Sequence, residues 1–452
     1  ISQELLLEAY KHLGNIFYRR GVYDEALKYF SKMLELAEKM DNKFGVIFAF
    51  SNIGHIYGEI GKYREALDCY RKSHKLALKI GATREIALGY MDIGNMYYVM
   101  GELDKAVDNY TQAMNMFKKL GIKRAIGMLL SNIGGVYFRR ERYRKALAYF
   151  KEYLKIAQEI NYVHGIASAY MNIGNVYYSL GKTKSAREYF ELARTIYKDI
   201  GESEGLIRTL INYGILELEQ GEITQAIEFF KEAERIAMDL KNLRRLGQIY
   251  LYLGRMYYYL CEYDKSCEYH KKSIELLKKI GSTSLQQLAN TGLLILMIEM
   301  NKLDTAKLLL KELDALLQEK PDNSMKALYL SLYAKFNLLL KSSQIEKSIK
   351  GALEFIKSKD IEPLRKAEAL YILGETFIDY APDKSIKLLE ESISLAKKFH
   401  DRILEGIALS ILGRVLLKID PAKGKDYLKR ANRIFKSAGA LRRIVKLKNI
   451  NE

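Results

Sequence analysis

The sequence predicts an all-α solenoid of about eleven helix–turn–helix repeats, on three observations. A glycine recurs every 40 residues from Gly14 to Gly254. Proline is scarce, with four in 452 residues and the first at Pro321. The chain is rich in Leu, Ala, Lys and Glu, which suit helices. A hydrophobic share of 49% supports a large core and excludes wholesale disorder. Because a repeat array is quasi-one-dimensional, length alone sets no domain count.

The first helix of each repeat carries the glycine. Gly14, Gly54, Gly94, Gly134, Gly174, Gly214 and Gly254 sit in settings such as "NIGHIYGEIGKYREAL" and "NIGNVYYSLGKTKSAR". Glycine inside a helix costs about 0.5–1 kcal/mol relative to alanine, so its recurrence needs a packing reason. Close approach of a partner helix supplies one. An aromatic three residues on (Phe17, Tyr57, Tyr97, Tyr137, Tyr177) packs beside the contact. The turn follows at a second glycine: Gly21, Gly61, Gly101, Gly181 and Gly221. The second helix then presents a small residue, Ala26 through Ala226 and finally Ser266. Four residues later come Phe30, Tyr70, Tyr110, Phe150, Phe190 and Phe230, with His270 breaking the set. Each helix should run roughly 16–18 residues, about 25 Å.

After residue 280 the pattern decays. Gly374 and Gly413 keep the glycine's place, while Leu294 and Ala334 replace it. All four prolines fall here, and "QEKPDNS" at 318–324 is the clearest break. Residues 1–280 are therefore expected to hold seven regular repeats. Residues 281–437 should hold four degenerate ones, and 438–452 a basic C-terminal capping helix packed through Leu441, Ile444, Val445 and Leu447. The chain begins at Ile1 rather than methionine, which predicts a piece of a longer protein.

Period, identity and order together resemble the tetratricopeptide repeat. One match runs Tyr90, Ile93, Gly94, Tyr97, Ala106, Tyr110, Ala113; another runs Tyr170, Ile173, Gly174, Tyr177, Ala186, Phe190, Ala193. The period of 40 exceeds the family's usual 34 and the proline closing the second helix is missing. The longer unit is similar to that of Pins/LGN-type adaptors, kinesin light chains and MalT-like sensor arms. The resemblance implies a right-handed superhelix whose inner face is lined by the first helices.

On that face lie polar residues two before the glycine, Asn52, Asp92, Asn132, Asn172 and Asn212, and one after it, Asn15, His55, Asn95, Asn175 and Arg255. Positions three apart share a helix face. An amide offers an acceptor and two donors, which suits an extended peptide backbone. In the Pins/LGN-type adaptors, asparagines of matching segments hold a peptide in this way. The same amides can instead bond to neighbouring helices and fix repeat stacking. Replacing Asn132, Asn172 and Asn212 with alanine separates the two roles, through loss of binding or loss of stability.

The 34 tyrosines include adjacent pairs such as Tyr97–Tyr98, but neighbours on a helix point about 100° apart, so they read as core rather than as a base-stacking platform. The net charge is +18, from 73 basic and 55 acidic residues. It admits a nucleic-acid-binding solenoid as the alternative function. Clusters lie at 138–147, which reads more simply as a solvated edge, and in "ALRRIVKLKNI", which reads more simply as a solvated capping helix. The apolar "TGLLILMIEM" at 291–300, with Glu299 its single charge, offers a surface for self-association. Cys69, Cys261 and Cys267 fit a reducing, cytoplasmic compartment, and no run is long enough for a membrane span. The six histidines show no metal-ligand spacing, and there is no phosphate loop. No enzyme activity, metal or cofactor is expected. The predicted function is a protein-interaction scaffold holding a peptide or helical segment in its groove, as the sensor or adaptor part of a larger signalling protein.

Overall fold

Two helices of 17 residues and two three-residue turns make the period of 40. The computed structural model describes residues 2–378 and 381–444. Helices run Gln3–Arg19, Tyr23–Lys39, Lys43–Glu59, Tyr63–Lys79 and onward at 20-residue intervals to Leu303–Glu319. Among the described residues there are 22 α-helices and no strand, so the eleven expected helical hairpins are present.

The turns of the regular repeats are closed alike. The Gly21 amide donates to Tyr18 O at 3.0 Å and the Val22 amide to Phe17 O at 3.0 Å. These are the paired bonds of a Schellman motif, which puts one residue in the left-handed region. Gly21 has φ 72° and Gly61 has φ 82°; where glycine is missing, Glu141 and Cys261 adopt 57° and 56°. The turns between repeats use the same geometry, at Asp41, Gly81, Gly121 and Asn161.

The chain divides into two compact units, residues 1–205 and 206–452. In the first, the repeated glycine makes room for a ring rather than for a bare helix backbone. A Cβ added at Gly14, Gly54, Gly94, Gly134 or Gly174 would stand 2.6–2.8 Å from Phe30, Tyr70, Tyr110, Phe150 or Phe190 respectively. The alanine four residues before each ring is fully buried. A further aromatic layer joins the two helices of a repeat: Phe17 stacks on Tyr29 (centroids 5.4 Å), Tyr137 on Tyr149 (5.3 Å) and Tyr177 on Tyr189 (5.4 Å). Tyr177, one member of an adjacent tyrosine pair, thus serves packing.

These contacts predict opposite outcomes for two glycines. Gly134→Ala pushes a methyl group into buried Phe150 and should cost about 1–3 kcal/mol. Gly351, within the helix Ile345–Ser358, has nothing within 4 Å of an added Cβ. Gly351→Ala should therefore stabilise by about 0.5–1 kcal/mol. Urea unfolding of each variant reads both signs.

In the second unit Pro363, Pro382 and Pro421 each occupy the first position of a helix. There the fixed φ fits and no amide donor is missed. Pro321 lies in the break at 318–324, where Asp322 caps the Met325 amide. The array of this unit turns back on itself. A Cβ on Gly221 would stand 3.7 Å from Ala438, and one on Gly439 would stand 3.8 Å from Thr224. The stretch 291–300 is core, not a docking surface: Leu293, Leu294, Leu296, Met297 and Ile298 are all buried. Within the expected capping helix, residues 441–443 form a single 3₁₀ turn. Ala438 and Ala440 are buried while Leu441 is 61% exposed, so the alanines do the covering expected of Leu441. Val445, Lys446, Leu447 and Lys448 lie outside the described residues.

Candidate functional site

The polar residues around the repeated glycines lie where the sequence puts them, on the first helices, and all but Asp92 are half-buried. In the first unit they are linked from repeat to repeat. His55 Nε2 lies 3.5 Å from Asp92 Oδ1. Burial opposes a charge on His55, but the Asp92 carboxylate, with Glu59, outweighs it and holds the pKa above the usual histidine value. Asn95 Oδ1 accepts from Tyr110 OH at 2.9 Å and from Asn132 Nδ2 at 3.2 Å. Asn172 Nδ2 donates to Ser131 Oγ at 3.1 Å, and Asn52 Nδ2 to Phe48 O, one turn back in its own helix, at 2.8 Å. Asn95, Asn132, Asn172 and Asn52 make no other hydrogen bond with described residues. Asn15 and Asn175 share the face.

Asn212 and Arg255 belong to the second unit, and Arg255 is committed inside it. Its Nη2 donates to Glu368 Oε1 at 2.5 Å, and its Nε to Tyr259 OH at 2.5 Å. Arg365 Nη1 reaches the other Glu368 oxygen at 2.6 Å. Despite burial, the two guanidinium groups keep the Glu368 carboxyl below the usual range.

Beside this network lies a cavity of about 380 Å³. Its residues follow the register that defines the amide face. One after the glycine, or its replacement, stand Lys335, Glu375 and Arg414; two before stand Leu332, Ile372 and Ile411. Sequence reasoning missed these six because the glycine is replaced in one repeat and the spacing slips in another. Counting on from Ala334, Gly374 and Gly413 would have found them. Glu375 is held by Lys335 Nζ at 2.7 Å and lies 3.6 Å from Arg414 Nη2. Glu299 accepts from Tyr258 OH and from Tyr263 OH. Arg442 and Arg443 close one side. Arg443 donates to Tyr258 O and Tyr259 O, both at 3.0 Å, and Arg442 to Cys261 O at 3.3 Å. The Tyr258 and Tyr259 carbonyls end the helix Leu243–Tyr259, where cations are favoured.

The basic clusters are partly consumed in such contacts. Arg139 donates to Tyr98 O, and Arg140 pairs with Asp104. Among the described residues no helix is long and apolar enough to cross a membrane, and no His, Cys, Asp and Glu side chains group to hold a metal ion.

Stacked helical hairpins, with a recurring glycine under an aromatic ring and a polar face on the first helices, define a helical-repeat scaffold. The family model for the tetratricopeptide repeat matches residues 5–79, 85–159 and 165–239, and the chain belongs to that family. No curated protein matches it in sequence. Among solved structures it is similar to a Rap protein complexed with competence and sporulation factor. That match has 17% identity and a TM-score of 0.53, and covers 70% of this chain and 86% of that one. It is also similar to a signal transduction ATPase with numerous domains from Pyrococcus horikoshii, which has a tetratricopeptide repeat sensor. Here identity is 18% and the TM-score 0.54, over 75% of this chain and 53% of that one. At these identities the likeness is one of fold.

Proposed function

We propose that the chain is an interaction scaffold that holds an extended peptide along the amide face of residues 1–205, as the sensor or adaptor part of a larger signalling protein. One observation carries the reading. Asn52, Asn95, Asn132 and Asn172 are half-exposed, and each uses only part of its amide within the fold. The internal bond fixes the side chain's orientation, and the remaining donors and acceptors suit a peptide backbone. Four bonds at about 0.5–1.5 kcal/mol each supply enough, with side-chain pockets, for micromolar binding. Stacking and binding therefore act together. A Rap protein of like fold was solved with a bound factor, and another structure of like fold carries a sensor, in keeping with this role.

The test uses peptides selected from a random library displayed on phage. Asn95→Asp keeps the oxygen that accepts from Tyr110 and Asn132 but removes both amide donors. Asn132→Ala removes a donor and an acceptor. Each should weaken the selected peptides about tenfold, with less than about 1.5 kcal/mol lost in stability. Peptides bound equally by wild type and both variants would overturn the reading. Nucleic acid bound with a steep salt dependence, unaffected by either substitution, would place function on the basic surface instead.

A further inference from the structure

We propose that the cavity in residues 206–452 is a second binding site, taking a small amphipathic carboxylate: an anionic head on an apolar body. The inference goes beyond the peptide reading and rests on different residues. The first observation is an imbalance of unused hydrogen-bonding groups. Both carboxylates of the lining are occupied, Glu299 by two tyrosine hydroxyls and Glu375 by Lys335 with Arg414 alongside. The cations are less fully engaged. Arg414 is ion-paired with Glu375, but only at 3.6 Å, and Glu375 is already held closer by Lys335. Arg442, exposed at the rim, uses one donor, at 3.3 Å, and the rest of its guanidinium faces solvent. The Ser410 hydroxyl also has no partner.

The second observation is Tyr371. It is 93% buried, it lines the cavity, and its hydroxyl has no hydrogen-bond partner. The hydroxyl is the part of this side chain left facing the cavity, where an acceptor can reach it. Burial and the nearby Glu368 raise its pKa well above the ordinary tyrosine value, so it remains a donor. Four cations in the lining against two carboxylates, with the accessible hydroxyls of Ser410 and Tyr371 beside them, call for an anion. The opposite wall is apolar, formed by Leu332, Ile372, Ile407, Ile411 and Phe435. A free inorganic anion would leave that wall unfilled, and a neutral hydrocarbon would leave the donors unpaired. Guanidinium and carboxylate geometries match in a bidentate pair, which favours the carboxylate head.

The test titrates the full chain by calorimetry with octanoate, 1-octanol and propionate. Octanoate should bind saturably at one equivalent, and at least about tenfold tighter than octanol, which lacks the charge, or propionate, which lacks the body. Arg414→Met should weaken octanoate about tenfold, and Tyr371→Phe severalfold, with folding of each checked by circular dichroism. Ser410→Leu, which fills the cavity, should abolish binding. Asn132→Ala, in the other unit, should leave it unchanged, so failure here is separable from failure of the peptide reading. Acetyl-Leu-Leu with a free terminus distinguishes a chain end from a free acid as the source of the carboxylate. Binding of either, lost in Arg414→Met, sustains the proposal. Equal affinity for octanol, heat without saturation, or unchanged binding in folded Arg414→Met and Tyr371→Phe would overturn it.

Discussion

Glu368→Gln is expected to lower the stability of the second unit by about 3–5 kcal/mol, the cost of removing one partner from a buried ion network. The carboxylate is 8% exposed and holds two guanidinium groups, Arg255 at 2.5 Å and Arg365 at 2.6 Å. Glutamine keeps the shape but offers one acceptor and no charge, so two cations are left facing each other. The arginines depress the Glu368 pKa although burial alone would raise it, so the carboxyl stays ionised in the folded chain. Its stabilising contribution is present above the unfolded pKa and lost as pH falls through the lower, folded one. A triple variant, Arg255→Met, Glu368→Leu, Arg365→Met, should come out near neutral, because burying the charges offsets much of what their pairing gains. Thermal unfolding by circular dichroism compares the two. A loss below about 1 kcal/mol in Glu368→Gln would mean that water, not the protein, solvates the arginines.

That network also marks where the sequence stops being legible. Glycines 40 residues apart identify the helical hairpin, and three-residue turns with a left-handed residue fix 17-residue helices. Both signals are local. The aromatic stacks, such as Tyr257 on Tyr269, were half visible, since a 12-residue offset repeats in several units. The amide face was legible as a row, but the bond between Asn95 and Asn132 required knowing how one repeat sits on the next. Arg255 and Glu368 are 113 residues apart, and no periodicity joins them. Arg443 bonds to Tyr258 O across 185 residues. Contacts of this kind depend on the array of residues 206–452 turning back on itself, which accumulates from small rotations in each repeat. The division at 205 is likewise silent, falling inside the regular pattern.

Acidification from pH 7 to pH 4 should remove about 3 kcal/mol of stability through His270 alone, at 1.36 kcal/mol per pKa unit. His270 occupies the place held elsewhere by Phe30 or Phe150, with its ring against both Gly254 and Gly292. It is 2% exposed, and its Nδ1 has no hydrogen-bond partner. Burial first, and then the positive charge of Arg255, push its pKa down from 6.5 to about 4. The folded chain therefore keeps the ring neutral while the unfolded chain protonates it. Stability is undiminished above pH 6.5, falls between 6.5 and about 4, and levels off below that for this group. His74 is shifted in the same direction by its own burial. The carboxylates titrate over part of the same range, so the wild-type slope is a sum. His270→Phe isolates the histidine's share by restoring the ring used in the other repeats and removing the titrating nitrogen. The variant should be less steep than wild type between pH 6.5 and 4, whatever its stability at pH 7. Parallel curves would mean that His270 is protonated in the folded chain, and that an imidazolium is tolerated between two glycines and beside an arginine.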